Sequence, residues 1–157
     1  MMIALGCDHG GFELVKDIIE FLDANGYEYK NFGTFTPDSV DYPVYAKAVA
    51  KSILSGECEL GIIVCGTGIG ISIAANKFPG IRAALCTNSF MARASRDHNN
   101  ANILALGGRV LGTELALDIV KTFVTTPFSG DERHIRRMPT KSVLSAERKP
   151  APEISEI

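Results

Sequence analysis

Apolar residues along this 157-residue chain follow two alternating rhythms. Short unbroken apolar runs recur at "MIALGC" (2–7), "LGIIVC" (60–65), "IRAALCT" (81–87) and "NILAL" (102–106), with a weaker one at "YEYKNF" (27–32). Runs of this length, rich in β-branched residues and closed by glycine or a polar turn, predict strands buried on both faces of a parallel sheet. Between them the spacing changes to three and four. In "FELVKDIIEFLDANG", Phe12, Val15, Ile18, Ile19 and Leu22 make one stripe, and Gly26 suits the stop. Further helices are expected over about 44–54, 71–77, 89–97, 112–124 and 133–147. "KPAPEISEI" has two prolines and no periodicity, which predicts a flexible tail.

Strands alternating with helices imply an α/β fold: a three-layer α/β/α sandwich, Rossmann-like, with a five-stranded parallel sheet. The expected organisation is one domain over residues 1–147 and a tail over 148–157. In such sheets ligands sit at the carboxyl ends of the strands, where the strand order reverses. The loops found there by sequence are Asp8-His9-Gly10-Gly11, Cys65 to Gly70, Thr87-Asn88 and Gly107-Gly108-Arg109.

Composition narrows the classes. Apolar residues make up 46% and charged residues 22%, with a formal net charge of -2. That balance gives no reason to expect nucleic acid or an anionic membrane as partner. No apolar run reaches the ~20 residues that span a bilayer, and "MMIALGCDHGG" lacks a basic leader pattern. A cytoplasmic protein is expected. The four cysteines, Cys7, Cys58, Cys65 and Cys86, have neither C-x-x-C spacing nor a nearby Cys/His cluster, so no metal site is expected.

The candidate chemistry starts at Cys65-Gly66-Thr67-Gly68-Ile69-Gly70. Glycines at a strand-to-helix turn let backbone N–H groups approach an anion. A dinucleotide fingerprint would need its third glycine where Ile71 stands, and a phosphate-binding P-loop would need a following G-K-S/T. Close packing of a tight turn is the plainer alternative. Cys65 itself stands at the rim of a strand before a helix, a setting that favours thiolate, although a buried cysteine is often only a small hydrophobe. A cysteine phosphatase would need arginine at Ile71. His9 and His98 could move protons near neutral pH, or could merely serve their turn and helix end. Arg133 and Arg137, four apart, would share one helical face suited to a phosphate dianion or simply to water.

Together these residues resemble the type B ribose-5-phosphate isomerases, in the wider family that includes the subunits of bacterial galactose-6-phosphate isomerase. The resemblance is carried by "GCDHGGF", "DYP", "CGTGIGISIAANKFPGIRA", "RDHNNANILALGGRV" and "RHIRR", in family order from Ile3 to about Arg137. It implies cofactor-free interconversion of ribose 5-phosphate and ribulose 5-phosphate through an enediolate. By that likeness Cys65 is the base, His98 opens the sugar ring and Thr67 assists proton movement. Some relatives carry serine at the Cys65 position and use a glutamate further along the loop; this chain keeps the cysteine. The N–H groups of Gly66, Thr67, Gly68, Ile69 and Gly70 would face the enediolate oxygen. Asp8, His9 and Asn99 would hold the sugar, and Arg133, Arg137 and Arg109 the phosphate. The resemblance also implies a homodimer or dimer of dimers with sites shared between chains. Allose or galactose 6-phosphate remains an alternative substrate, and a non-catalytic phosphosugar-binding regulator an alternative role.

Overall fold

The computed structural model describes residues Met1–Met138. Five strands, β1 (Met2–Cys7), β2 (Glu28–Asn31), β3 (Leu60–Cys65), β4 (Ala83–Leu85) and β5 (Ile103–Gly107), form one parallel sheet in the order β2-β1-β3-β5-β4. The helices are α1 (Phe12–Ala24), α2 (Tyr42–Leu54), α3 (Ile69–Ala75), α4 (Ser89–Asp97), α5 (Thr113–Thr125) and α6 (Glu132–Arg137). No helix among the described residues is long and apolar enough to cross a membrane.

The period of two along the central strands divides the core into two layers. Ile3, Leu5, Ile62, Val64, Leu104 and Leu106 point to one face, against Ile18 and Leu22 of α1 and Ile119, Val120 and Phe123 of α5. Ala4, Ile63, Cys65, Ile103 and Ala105 point to the other, against Val49 and Ala50 of α2 and Ile71 and Ala75 of α3. The second layer is rich in alanine, with Ala4, Ala46, Ala50, Ala75 and Ala105. Val49 comes so near the sheet that a Cβ on Gly6 or Gly61 would lie 2.8 Å from one of its methyl groups. Each fully buried Ile, Leu or Phe here contributes about 1.5–3 kcal/mol.

The element boundaries differ from the sequence expectations in ways with local causes. The strand expected over 81–87 is only Ala83–Leu85 at the sheet edge, where Asn76 replaces a neighbouring strand. Its side-chain amide donates to the Ala83 carbonyl and its oxygen accepts from the Ala83 N–H, both at 2.9 Å. Helix α2 begins two residues early because Pro43 fits a first helical turn. Helix α3 runs from Ile69 rather than 71, starting directly after left-handed Gly68. The helix expected over 133–147 is described from Glu132 to Arg137; its continuation, the domain end at 147 and the tail over 148–157 lie outside the described residues.

Burial raises the Cys7 and Cys86 thiols to about 11 from 9.0. In the unfolded chain they ionise from about 9, so between pH 9 and 11 the unfolded state binds fewer protons and folding stability falls. The double variant Cys7→Ala/Cys86→Ala should therefore lose less stability between pH 8 and 10.5 than the parent in denaturant titrations. Equal losses would show that these thiols do not drive the alkaline decline.

Candidate active site

Three strand-ending loops meet at the carboxyl edge of the sheet. Connections diverge there, since β1 leads outward to β2 and β3 leads the other way to β4. This is the crevice in which such sheets hold ligands. The loops join backbone to backbone. Asp8 donates its N–H to the Val64 carbonyl at 3.1 Å, Gly108 to Cys65 at 2.8 Å and Arg109 to Gly66 at 3.0 Å. Glycine makes the approach possible: a Cβ on Gly10 would sit 2.7 Å from the Gly66 nitrogen, and one on Gly108 would sit 2.5 Å from the Gly10 oxygen.

Cys65 is the last residue of β3 and is 4% exposed. Its side chain turns to the α2/α3 face, and Sγ accepts the Gly68 N–H at 3.1 Å. That bond requires the loop to double back within three residues. Gly68 does this with φ of +77°, and a Cβ there would lie 2.8 Å from the Leu106 carbonyl carbon. Thr67 is exposed and its Oγ1 accepts the Ile69 N–H at 3.3 Å. Two of the five amides expected to face an oxyanion, those of Gly68 and Ile69, are thus turned toward Cys65 and Thr67.

Around this thiol stand the other residues of the same edge. Asp8 is buried, with Oδ1 accepting the Gly10 N–H at 2.8 Å. His9 uses Nδ1 to accept the Val40 N–H at 3.2 Å, which leaves the proton of a neutral ring on Nε2. Arg109 lies along Gly66, its Cδ 3.4 Å from where a Cβ would be. The structure adds Tyr42, whose ring covers Gly70; a Cβ there would be 2.7 Å from Cζ and 3.0 Å from the hydroxyl. The sequence signal for Tyr42 was slight, only its place before Pro43 in "DYP".

The remaining candidates are elsewhere. Helix α4 leaves the carboxyl end of β4 and carries His98 and Asn99 to the opposite edge. There the Asn99 carbonyl accepts from Nε of Arg82, which precedes β4, at 2.6 Å. His98 Nε2 is 3.3 Å from the Asp97 carboxylate, and its ring lies 4.4 Å from that of His134 on α6. The same short helix presents Arg133 and Arg137 to solvent, with Arg133 paired to Asp131 at 3.2 Å. A five-residue strand is about 17 Å long. Within one chain, therefore, Cys65, Thr67, Asp8, His9 and Arg109 form one group, and His98, Asn99, Arg133 and Arg137 form a second at the far end of the sheet.

Residues 3–140 match the family described as Ribose/Galactose Isomerase. The chain belongs to that family. It is 45% identical to Ribose-5-phosphate isomerase B of Escherichia coli strain K12, over 93% of this chain and 97% of that protein. Among solved structures, Ribose-5-Phosphate Isomerase B of Clostridium thermocellum superposes with a TM-score of 0.85 at 59% identity, covering 87% of this chain and 92% of the other. A ribose 5-phosphate isomerase from Thermotoga maritima gives the same TM-score at 55% identity, covering 87% and 94%. Galactose-6-phosphate isomerase subunit LacB of Clostridium acetobutylicum is 41% identical over 82% of this chain and 74% of that subunit.

The strain at Gly68 gives a direct test of the loop. Gly68→Ala introduces a left-handed alanine and a clash with backbone, so the Gly68 amide should leave Sγ. Activity should fall at least about tenfold while far-ultraviolet circular dichroism stays native. Full activity would show that the doubled-back turn is dispensable.

Proposed function

We propose that this enzyme interconverts ribose 5-phosphate and ribulose 5-phosphate without a cofactor, in the cytoplasm and in the non-oxidative branch of the pentose phosphate pathway, using the Cys65 thiolate as base. The observation that carries the reading is the Cys65 sulfur at the mouth of the strand crevice, held by the Gly68 N–H within a loop of small residues. Its relatives named for that activity support the substrate.

The proposed chemistry follows from those positions. His98 gives a proton to the ring oxygen and the furanose opens. The Cys65 thiolate takes the proton from C2, leaving an enediolate, and the proton returns at C1 to give the ketose. The charge appears on an oxygen beside the loop, where the N–H groups of Gly66, Thr67 and Gly70 stand ready, a preorganised arrangement of the oxyanion-hole kind. The Gly68 N–H stabilises the thiolate instead, and Thr67 Oγ1 assists the accompanying transfer of the hydroxyl proton from O2 to O1. Asp8, His9 and Asn99 hold hydroxyls. Arg109, Arg133 and Arg137 hold the phosphate through forked hydrogen bonds.

His98, Asn99, Arg133 and Arg137 cannot reach Cys65 of their own chain across the length of the sheet. The reading therefore requires a homodimer or dimer of dimers, in which a second copy brings its amino-edge group to the first copy's crevice. Apolar side chains are exposed beside the crevice, Ile69 and Ile73 on α3 and Val44 on α2 among them, as a self-association surface needs.

The test is turnover of ribose 5-phosphate by the purified protein in EDTA, with allose 6-phosphate and galactose 6-phosphate in parallel. Pentose turnover is expected; turnover of a hexose alone would move the substrate and keep the mechanism. Cys65→Ala should lower kcat by about 10²–10⁴ with substrate affinity little changed, and substantial residual activity would remove the thiolate base. Arg137→Ala should raise KM about ten- to a hundredfold, as loss of a charge-assisted bond made equally in ground and transition states predicts. A fall confined to kcat would contradict that role.

A further inference from the structure

His134 is one of the few polar side chains buried among the described residues, 6% exposed, although it lies on a short surface helix between two exposed arginines. Its surroundings fix it closely. Ser129 donates its N–H to the Asp97 carbonyl at 3.1 Å, and its hydroxyl to the same carbonyl at 2.9 Å. The hydroxyl proton is thereby used, so the 3.0 Å contact between Ser129 Oγ and His134 Nδ1 has the histidine as donor. The Asp131 N–H approaches the same oxygen at 3.4 Å. The ring of His134, held in this way, covers the ring of His98 with centroids 4.4 Å apart and planes inclined by 39°.

These contacts close a circuit. The residue before His98 supplies the carbonyl that holds Ser129, Ser129 holds His134, and His134 covers the face of His98. The edge of His98 meets the Asp97 carboxylate at 3.3 Å. Even with that neighbour the His98 side chain, at a helix end, is 47% exposed, so the contacts with His134 and the Asp97 carboxylate are what restrain its two side-chain torsions. A proton donor must meet its acceptor within hydrogen-bond reach, and small misplacements are costly.

We propose that His134 is a positioning residue for ring opening, locked by Ser129 and setting the plane in which His98 delivers its proton. The inference rests on the ring-opening role of His98 proposed above. It separates His134 from its neighbours Arg133 and Arg137, since disturbing the whole helix would weaken phosphate binding for either substrate, whereas freeing only the His98 ring affects the cyclic sugar.

The experiment compares initial rates from ribose 5-phosphate and from open-chain ribulose 5-phosphate as enzyme concentration is raised. The variants are His134→Phe, which keeps a ring but not the bond to Ser129, Ser129→Ala and His98→Asn. An enzyme impaired only in ring opening must draw on the open form present in solution. Its rate from ribose 5-phosphate then levels off at the rate of unaided opening, while the rate from ribulose 5-phosphate keeps rising in proportion to enzyme. His134→Phe and Ser129→Ala should both show this, with the high-enzyme rate from ribose 5-phosphate reduced about tenfold and KM for ribulose 5-phosphate unchanged. Parental behaviour in both variants, or an equal rise in KM for both substrates, overturns the positioning role. If His98→Asn fails to level off as well, the ring-opening assignment falls; if it levels off alone, only the role of His134 does.

Discussion

The closeness of three backbone loops at the carboxyl edge of the sheet is the constraint on which the rest of the molecule depends. Gly10 stands where it could not clear Gly66 with a side chain, and Gly108 where it could not clear Gly10. These contacts bring the ends of β1, β3 and β5 together, and the turn at Gly68 then folds an amide back onto the Cys65 sulfur. The Cys65 thiol is buried at the end of β3, and its sulfur accepts that amide.

The two core layers serve this edge. On the α2/α3 side the small residues Ala4, Gly6, Gly61 and Ala105 let the helices lie close to the sheet, and α3 is anchored at both ends. At its start the Gly68 turn fixes it to β5, and at its end Asn76 pairs with the backbone of Ala83. For the proposed reaction such a support matters, because preorganised donors need not reorient as charge develops.

Much of this was legible in the residues. The alternation of strand and helix runs gave the parallel sheet, and the glycine-rich segment after "LGIIVC" marked the crevice. Boundaries were less so, for reasons that are tertiary. The outer edge of β4 is capped by Asn76, a residue with no pattern to mark it as the substitute for a strand. The separation of Cys65 from His98 could not be read from spacing, since it depends on which end of the sheet α4 reaches. Arg133 and Arg137 do share a short helix, as their spacing predicted, but the importance of the histidine between them emerged only from its burial and its contact with His98. Tyr42 was missed as a site residue because its relation to Gly70 is one of space alone.

The account turns on two groups of residues at opposite ends of one sheet acting on one substrate. Mixing inactive Cys65→Ala with His98→Asn, whose rate from ribose 5-phosphate is held to that of unaided ring opening, after dissociation and reassociation, tests this directly in the ribose 5-phosphate assay. Random pairing in a twofold dimer makes half the dimers mixed, each with one intact site, so activity should recover to roughly one quarter of the parent's. Recovery to that level is the predicted result. A mixture no more active than its components would contradict a site built from two copies.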